Sequence, residues 1–282
     1  MPLSERDFFA IRSEFLVEEQ AQIISLESSY MDFLLNVILL VANDIYRDFG
    51  RAIDLMPFWV NYPPVQRGRS PRGTSIPWGE VGEKSISSHL IRTLSLQNPA
   101  IEFPGLPLGG DIRFSTSDVF VHMDIKMTGP NDRPDEIVAS PHQISGDGYG
   151  WYNDGIVNSP VTVSGERASM AFQPELPPFY ILDNHVLLCL TYFLKVVYSV
   201  QAMGQQPLDY LELVCVPNGL LLFDGPMYGQ VRGMLIPGKD EKDHPKKRLR
   251  VRLNPLAQLA SWRSVKIVPT TRGWQAIPRF NE

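Results

Sequence analysis

The chain has 282 residues, 44% hydrophobic and 20% charged, with a formal net charge of −5; this is an ordinary globular composition, long enough to bury a sizeable core in one large domain or two small ones. It contains no repeat or low-complexity tract, which excludes a solenoid, and its most apolar run, residues 33–42, is too short to span a bilayer and contains Asn36. The start, Met-Pro-Leu-Ser-Glu-Arg-Asp, has no basic segment followed by an apolar one, so the expected location is cytoplasmic.

Charge is unevenly placed. Residues 1–60 carry four basic and ten acidic side chains, whereas residues 239–282 carry eleven basic and four acidic. An acidic total therefore does not exclude nucleic acid, because one concentrated basic segment supplies the electrostatic footprint.

In chain order, residues 5–50 read as a helix pair: Ser4 and Asp7 can cap the start, apolar residues recur every three or four positions, and Gly50 can close the end. The generous apolar stripe suits packing or a subunit interface. Residues 57–77 are rich in proline, glycine and arginine, and Arg67, Arg69 and Arg72 either track phosphates or decorate a solvated loop. Residues 79–94 read as a helix with Glu80, Glu83 and Ser87 on one face and Val81, Leu90 and Leu94 available to the core.

Residues 119–127 form the central strand of the reading. Side chains alternate, so His122, Asp124 and Lys126 share one face while Val121, Met123, Ile125 and Met127 share the other. With Asp111 or Asp118 upstream, the carboxylates suit a divalent cation beside phosphate, and the lysine suits an attacking water and the growing phosphorane charge. Alone, Asp-x-Lys is a common surface pair. A turn at residues 129–132 precedes a loop-rich stretch, 140–165, of the kind that is commonly functional.

Beyond residue 178 the pattern predicts strands at 179–182, 185–200, 210–216, 220–223, 248–253 and 264–268, with a turn at Asp183 and Asn184. Cys189 and Cys215 fall inside apolar runs and read as core, and the five scattered histidines give no zinc signature. On the strand at 248–253, Arg248, Arg250 and Arg252 share a face opposite Leu249, Val251 and Leu253. Such a face is either a charged edge that discourages aggregation or a surface for an anion, and arginine reads guanine through O6 and N7. Nearby Lys239, Asp240 and Glu241 add a donor and acceptors.

Several long strings stand out: Pro57-Phe-Trp-Val-Asn-Tyr-Pro-Pro64, Ile76-Pro-Trp-Gly-Glu-Val-Gly-Glu83-Lys84, Leu106-Pro-Leu-Gly-Gly-Asp111, Met123-Asp-Ile-Lys126, Gly129-Pro-Asn-Asp132, Ser140-Pro-His-Gln-Ile-Ser145, Val216-Pro-Asn-Gly-Leu220, Pro237-Gly-Lys-Asp240 and Lys247-Arg-Leu-Arg-Val251. By these strings the sequence resembles the BglI-like Type II restriction endonucleases. The likeness runs over residues 57–253, with a helical part (1–56) before it and a C-terminal extension (254–282) after it, all in one domain.

The resemblance implies an α/β fold of the PD-(D/E)xK nuclease type, a mixed sheet flanked by helices, acting as a homodimer on double-stranded DNA with Mg²⁺. It selects Asp111 over Asp118 and implies Asp111, Asp124 and the Ile125 carbonyl as metal ligands, Lys126 as the catalytic lysine and Glu83 as an additional helical carboxylate. His122 has no required role in the family pattern and reads as packing.

Base-reading positions carry over to Asp132, Lys239, Glu241, Arg248 and Arg250. Arg252 is expected on phosphate, as are Arg67 and Arg69 in the loop. Glu241 stands where the family has aspartate, Arg252 where it has an acid, and the link from Lys239 to Arg248 is short. The implied function is cleavage of an interrupted G·C-rich palindrome, GCC, a spacer and GGC, in a restriction–modification system with a partner methyltransferase. The alternatives are a repair or junction-resolving nuclease on the same core, and a catalytically silent DNA-binding protein.

Overall fold

The computed structural model describes residues 4–51, 54, 78–105, 110–153, 155–165, 169–182, 185–201, 206–224, 233–238 and 248–280, without the side chains of 78–81 and 224. Two helices open the chain, α1 (Glu5–Val17) and α2 (Gln20–Gly50). The Ser4 hydroxyl accepts the Asp7 N–H at 3.2 Å and caps α1 as the spacing predicts. Along α2, Ile23, Met31, Leu34, Val37, Ile38, Val41, Ile45 and Phe49 form one buried stripe, the 3.6-residue periodicity of a helix laid on a core. By length and hydropathy α2 could cross a bilayer. Here its stripe packs on other elements, and Glu27 within that stripe pairs with Arg263 at 2.6 Å, both buried. The helix stops at Gly50 without placing that glycine in the left-handed region.

Helix α3 (Trp78–Gln97) packs on α2 and buries Ile86, Leu90 and Leu94. Then come β1 (Ile112–Ser115), β2 (Val119–Thr128), β3 (Glu136–Ala139), β4 (Gly150–Tyr152), β5 (Gly155–Val157), β6 (Val161–Ser164), β7 (Ser169–Phe172), β8 (Phe179–Leu182), β9 (His185–Tyr198), β10 (Leu208–Val216), β11 (Leu235–Pro237) and β12 (Leu249–Arg252). Helix α4 (Leu253–Leu259), β13 (Ser264–Thr270) and β14 (Gly273–Pro278) complete the chain.

The main sheet runs β1-β2-β9-β10-β13-β14, with β8 also paired to β9. Only β2 and β9 pair in parallel; the other neighbours are antiparallel, which makes the sheet mixed. Residues 187–196 of β9 are all buried, as expected of a central strand covered on both faces. The residues that follow the recognised stretch do not stand apart, since β13 and β14 are integral strands of this sheet.

A second sheet, β11-β12-β3, buries Leu235, Leu249, Val251, Ile137 and Ala139 against Phe193 and Val214 of the main sheet. Tyr192 and Leu194, the chain neighbours of Phe193, instead join the core beneath the helices. The helices therefore cover one face of the main sheet and the small sheet covers the other.

Three expectations are corrected. Residues 220–223 are a wide helical turn, Leu220–Asp224, rather than a strand. The cause is the buried Asn218: its side chain accepts the Leu220 N–H at 2.9 Å, and its carbonyl accepts those of Leu221 and Leu222. Residues 140–165 are also more regular than expected. They contain the 3-10 turn Pro141–Gln143, the β4–β5 hairpin and β6, elements too short for periodicity to show. At its C-terminal end, the strand at 248–253 ends with Arg252, and Leu253 begins α4.

Candidate active site

The register of β1 against β2 places Ile112 opposite Met123, so Asp111 lies beside Asp124 just before β1 begins. An Ile125 N–H left without a strand partner on that side is taken by Asp111 Oδ2 at 2.8 Å. Close approach requires Gly110: a Cβ there would lie 2.3 Å from the Met123 carbonyl oxygen. Asp118 sits elsewhere, held by the Tyr30 hydroxyl at 2.8 Å and by Thr116 Oγ1 at 2.7 Å.

Asp124 and Lys126 share a face, as alternation requires, and Lys126 Nζ lies 2.6 Å from Asp124 Oδ2. Between them stands Gln143, a residue to which the sequence reading gave no role. Its Nε2 donates to Asp124 Oδ1, while its Oε1 accepts from Lys126 Nζ at 3.1 Å and from the Ser140 N–H at 3.0 Å. The last bond closes a capping box on the 141–143 turn, which fixes the amide in one orientation. Burial and then Asp111 push the Asp124 carboxyl up, against the lowering pull of Lys126 and Gln143.

Glu83 reaches the site from α3. The helix packs against β2 at Gly82, where a Cβ would fall 2.8 Å from the terminal methyl of Met127. Burial, Asp111 and Asp124 push Glu83 up to about 7. Three carboxylates thus crowd one lysine, and their mutual repulsion is the electrostatic signature of a place for a hard cation.

Among the described residues, no three His, Cys, Asp or Glu side chains are arranged to hold a metal unaided. Asp111 and Asp124, hard oxygen donors close enough to repel one another, could hold a divalent cation together with backbone oxygen or water. His122 takes no part: its Nε2 bonds the Tyr180 hydroxyl at 2.9 Å, its ring packs against Phe120 and Tyr180, and burial followed by the Arg113 charge lowers it to about 3.

The arginine face lies on β12, central in the small sheet. Leu249 and Val251 are buried beneath it, and Arg250 and Arg252 point outward. The repulsion expected among these arginines is offset from β3: Glu136, only 7% exposed at its side chain, lies 2.7 Å from Arg250 Nη1 and 3.0 Å from Arg133 Nη1. Arg252 Nη1 donates to the Gly233 carbonyl at 3.4 Å, and the Arg248 carbonyl accepts the Gly238 N–H at 2.9 Å.

Asp132 uses one carboxylate oxygen to accept the Gly129 N–H at 2.9 Å and is otherwise exposed on its turn. Lys239, Glu241, Arg67 and Arg69 lie outside the described residues, as do residues 106–109. Besides Gln143, sequence reasoning missed Glu136 and Lys195. Neither belongs to a local motif; the available signal was a charged residue inside an apolar strand, as at Lys195 in β9.

Comparison with known proteins agrees with this architecture. The family described as "Restriction endonuclease BglI" matches residues 5–267, extending the likeness into both ends of the chain. The Type II restriction enzyme BglI of Bacillus subtilis is 36% identical over 241 residues, 77% of this chain and 81% of that protein. The crystal structure of restriction endonuclease BglI bound to its DNA recognition sequence superposes with a TM-score of 0.80 at 34% identity, covering 93% of this chain and 95% of the other. Tetrameric restriction endonuclease SfiI, solved with cognate DNA, shares the fold at a TM-score of 0.62 and 12% identity, over 92% and 88% of the two chains.

Fold and site together define a restriction endonuclease built on a mixed sheet with flanking helices. The chain belongs to the BglI family of Type II restriction enzymes.

Proposed function

We propose that this enzyme is a Mg²⁺-dependent, site-specific deoxyribonuclease that cleaves double-stranded DNA at GCC, an unspecified spacer, then GGC, acting as a homodimer in the cytoplasm alongside a methyltransferase that protects host DNA. The observation that carries the reading is the convergence of Asp111, Asp124 and Lys126 at the start of β1, with Gln143 bridging the last two.

In this reading Asp111, Asp124 and the Ile125 carbonyl hold the cation, which when bound supplies positive charge to the transferring phosphate. Lys126, on the same face of β2 as Asp124, orients the attacking water and stabilises charge on the phosphate. Gln143 keeps the ammonium in place, and Glu83 closes the site from α3. Arg248, Arg250, Lys239, Glu241 and Asp132 read base edges, while Arg252, Arg67 and Arg69 meet phosphate. Two subunits related by a dyad carry identical reading strands to identical half-sites.

Digestion of a defined plasmid with and without Mg²⁺ tests this. Discrete fragments bounded by GCC and GGC are expected only with the metal. Irregular nicking would point to a structure-directed nuclease, and no cleavage to a silent DNA-binding protein.

A further inference from the structure

Arg250 projects from β12 toward solvent but is not left to find its own rotamer. Glu136 on β3 accepts its Nη1 at 2.7 Å, and the same carboxylate accepts Arg133 Nη1 at 3.0 Å through its other oxygen. The Arg133 side chain is 67% exposed, while that of Glu136 is 7% exposed. Two guanidiniums thus share one buried carboxylate, leaving a net positive charge on the surface beside β12.

The carboxylate is itself a fixed post. Glu136 pairs with Arg252 across β3 and β12, and its carbonyl accepts the Lys195 ammonium at 3.1 Å. Lys195, fully buried on β9, also donates to the carbonyls of Arg133, at 3.3 Å, and Pro134. Along the sheet, Lys195 is the register partner of the catalytic-strand residue Lys126. The base of the Arg133–Glu136 turn is therefore tied to the strand next to the one that carries the candidate active site. A concavity of about 630 Å³ opens alongside, with Arg133, Glu136, Gly238 and Arg252 in its wall.

We infer that Glu136 is a positioning residue for sequence readout, orienting the Arg250 guanidinium for a base edge, and that Arg133 is a further DNA contact, made to phosphate. This rests on the reading of Arg250 as a base contact. A bidentate arginine discriminates bases only when its plane is held, since a freely rotating guanidinium meets any acceptor within reach. Arg133 shares that carboxylate through Nη1 but leaves 67% of its side chain exposed and precedes β3 in the chain, which suits a sequence-independent phosphate contact.

The test is selection from a randomised duplex library in Ca²⁺, performed on the full-length wild type, Glu136→Gln, Arg250→Ala, the double variant and Arg133→Ala. Glu136→Gln is expected to lose at least about fivefold discrimination at the same symmetric base pair as Arg250→Ala, with the other positions of the motif retained. The double variant should discriminate no worse there than Arg250→Ala alone, because Glu136 acts through that arginine. Arg133→Ala should weaken cognate and random duplex binding by one common factor and lower the salt slope by about one unit.

An unchanged motif for Glu136→Gln beside an altered one for Arg250→Ala overturns the inference while leaving the base-reading assignment intact. An unchanged motif for Arg250→Ala overturns that assignment first. If Glu136→Gln does not fold, Glu136→Asp keeps the charge and shortens the reach, and is expected to relax the same base pair; an unaltered motif would again overturn the inference.

Discussion

Asp111 Oδ2 accepts the backbone N–H of Ile125 at 2.8 Å, so the first carboxylate of the site is fixed by the strand that carries Asp124 and Lys126. The contact depends on Gly110, because a Cβ there would fall 2.3 Å from the Met123 carbonyl oxygen and 3.0 Å from Asp124 N. Gly110→Ala is therefore expected to push Asp111 off β2 and to slow single-turnover cleavage on the order of 100-fold, the usual scale for a misplaced catalytic group. DNA binding in Ca²⁺ should persist. A rate within twofold of wild type would show that Asp111 need not lie against β2.

Gln143 is expected to matter as much as its position suggests. Removing its amide leaves Asp124 Oδ1 and Lys126 Nζ each one partner short in a part-buried setting. Gln143→Ala should lower the cleavage step about 10- to 100-fold at saturating Mg²⁺ while changing DNA affinity little. Quench-flow cleavage beside fluorescence anisotropy separates the two effects. A loss confined to affinity would remove Gln143 from the chemistry.

Asp111 and Asp118 are to be told apart by metal rather than by activity alone. Asp118 is occupied by Tyr30 and Thr116, whereas Asp111 stands among the crowded carboxylates that influence Glu83. Asp111→Asn should abolish the rise in melting temperature that Mg²⁺ produces in the wild type, and Asp118→Asn should preserve it. The opposite result would move the metal.

Lys195 gives a pH signature. Burial lowers it to about 8 from an ordinary 10.5, partly opposed by Glu212. Between those values the unfolded chain binds more protons than the folded one, so stability rises with pH across that window; below 8 the cost of the buried ammonium is present in full. Denaturant titrations of wild type and Lys195→Met at several pH values should show their difference changing from pH 8 to about 10.5. Lys195→Met should also be destabilised by roughly 1–3 kcal/mol for each carbonyl left without a donor. A difference independent of pH would mean that this lysine titrates alike in both states.

Much of this arrangement was legible in the sequence because it is local. Alternation alone put Asp124 and Lys126 on one face of β2 and Leu249 and Val251 beneath Arg250 and Arg252. The helices α1, α2 and α3 announced themselves by apolar spacing, and α1 also by its Ser4 cap. What was not legible depends on pairing between distant segments. Gln143 enters the site only because the 141–143 turn lies beside β2, and Glu136 meets Arg250 across a separation of 114 residues. Residues 220–223 read as a strand because three leucines and a phenylalanine look alike in either state; the deciding residue, Asn218, acts through hydrogen bonds that no periodicity encodes.

The most direct measurement is to incubate a random-sequence duplex pool with Mg²⁺ and sequence the ends of the products for wild type, Asp124→Ala and Lys126→Ala. The wild type is expected to generate ends within a single interrupted motif, GCC, a fixed spacer and GGC, while both variants bind that motif in Ca²⁺ and release no ends. Ends scattered without a common motif, or enriched ends from Lys126→Ala at the wild-type rate, would contradict the account.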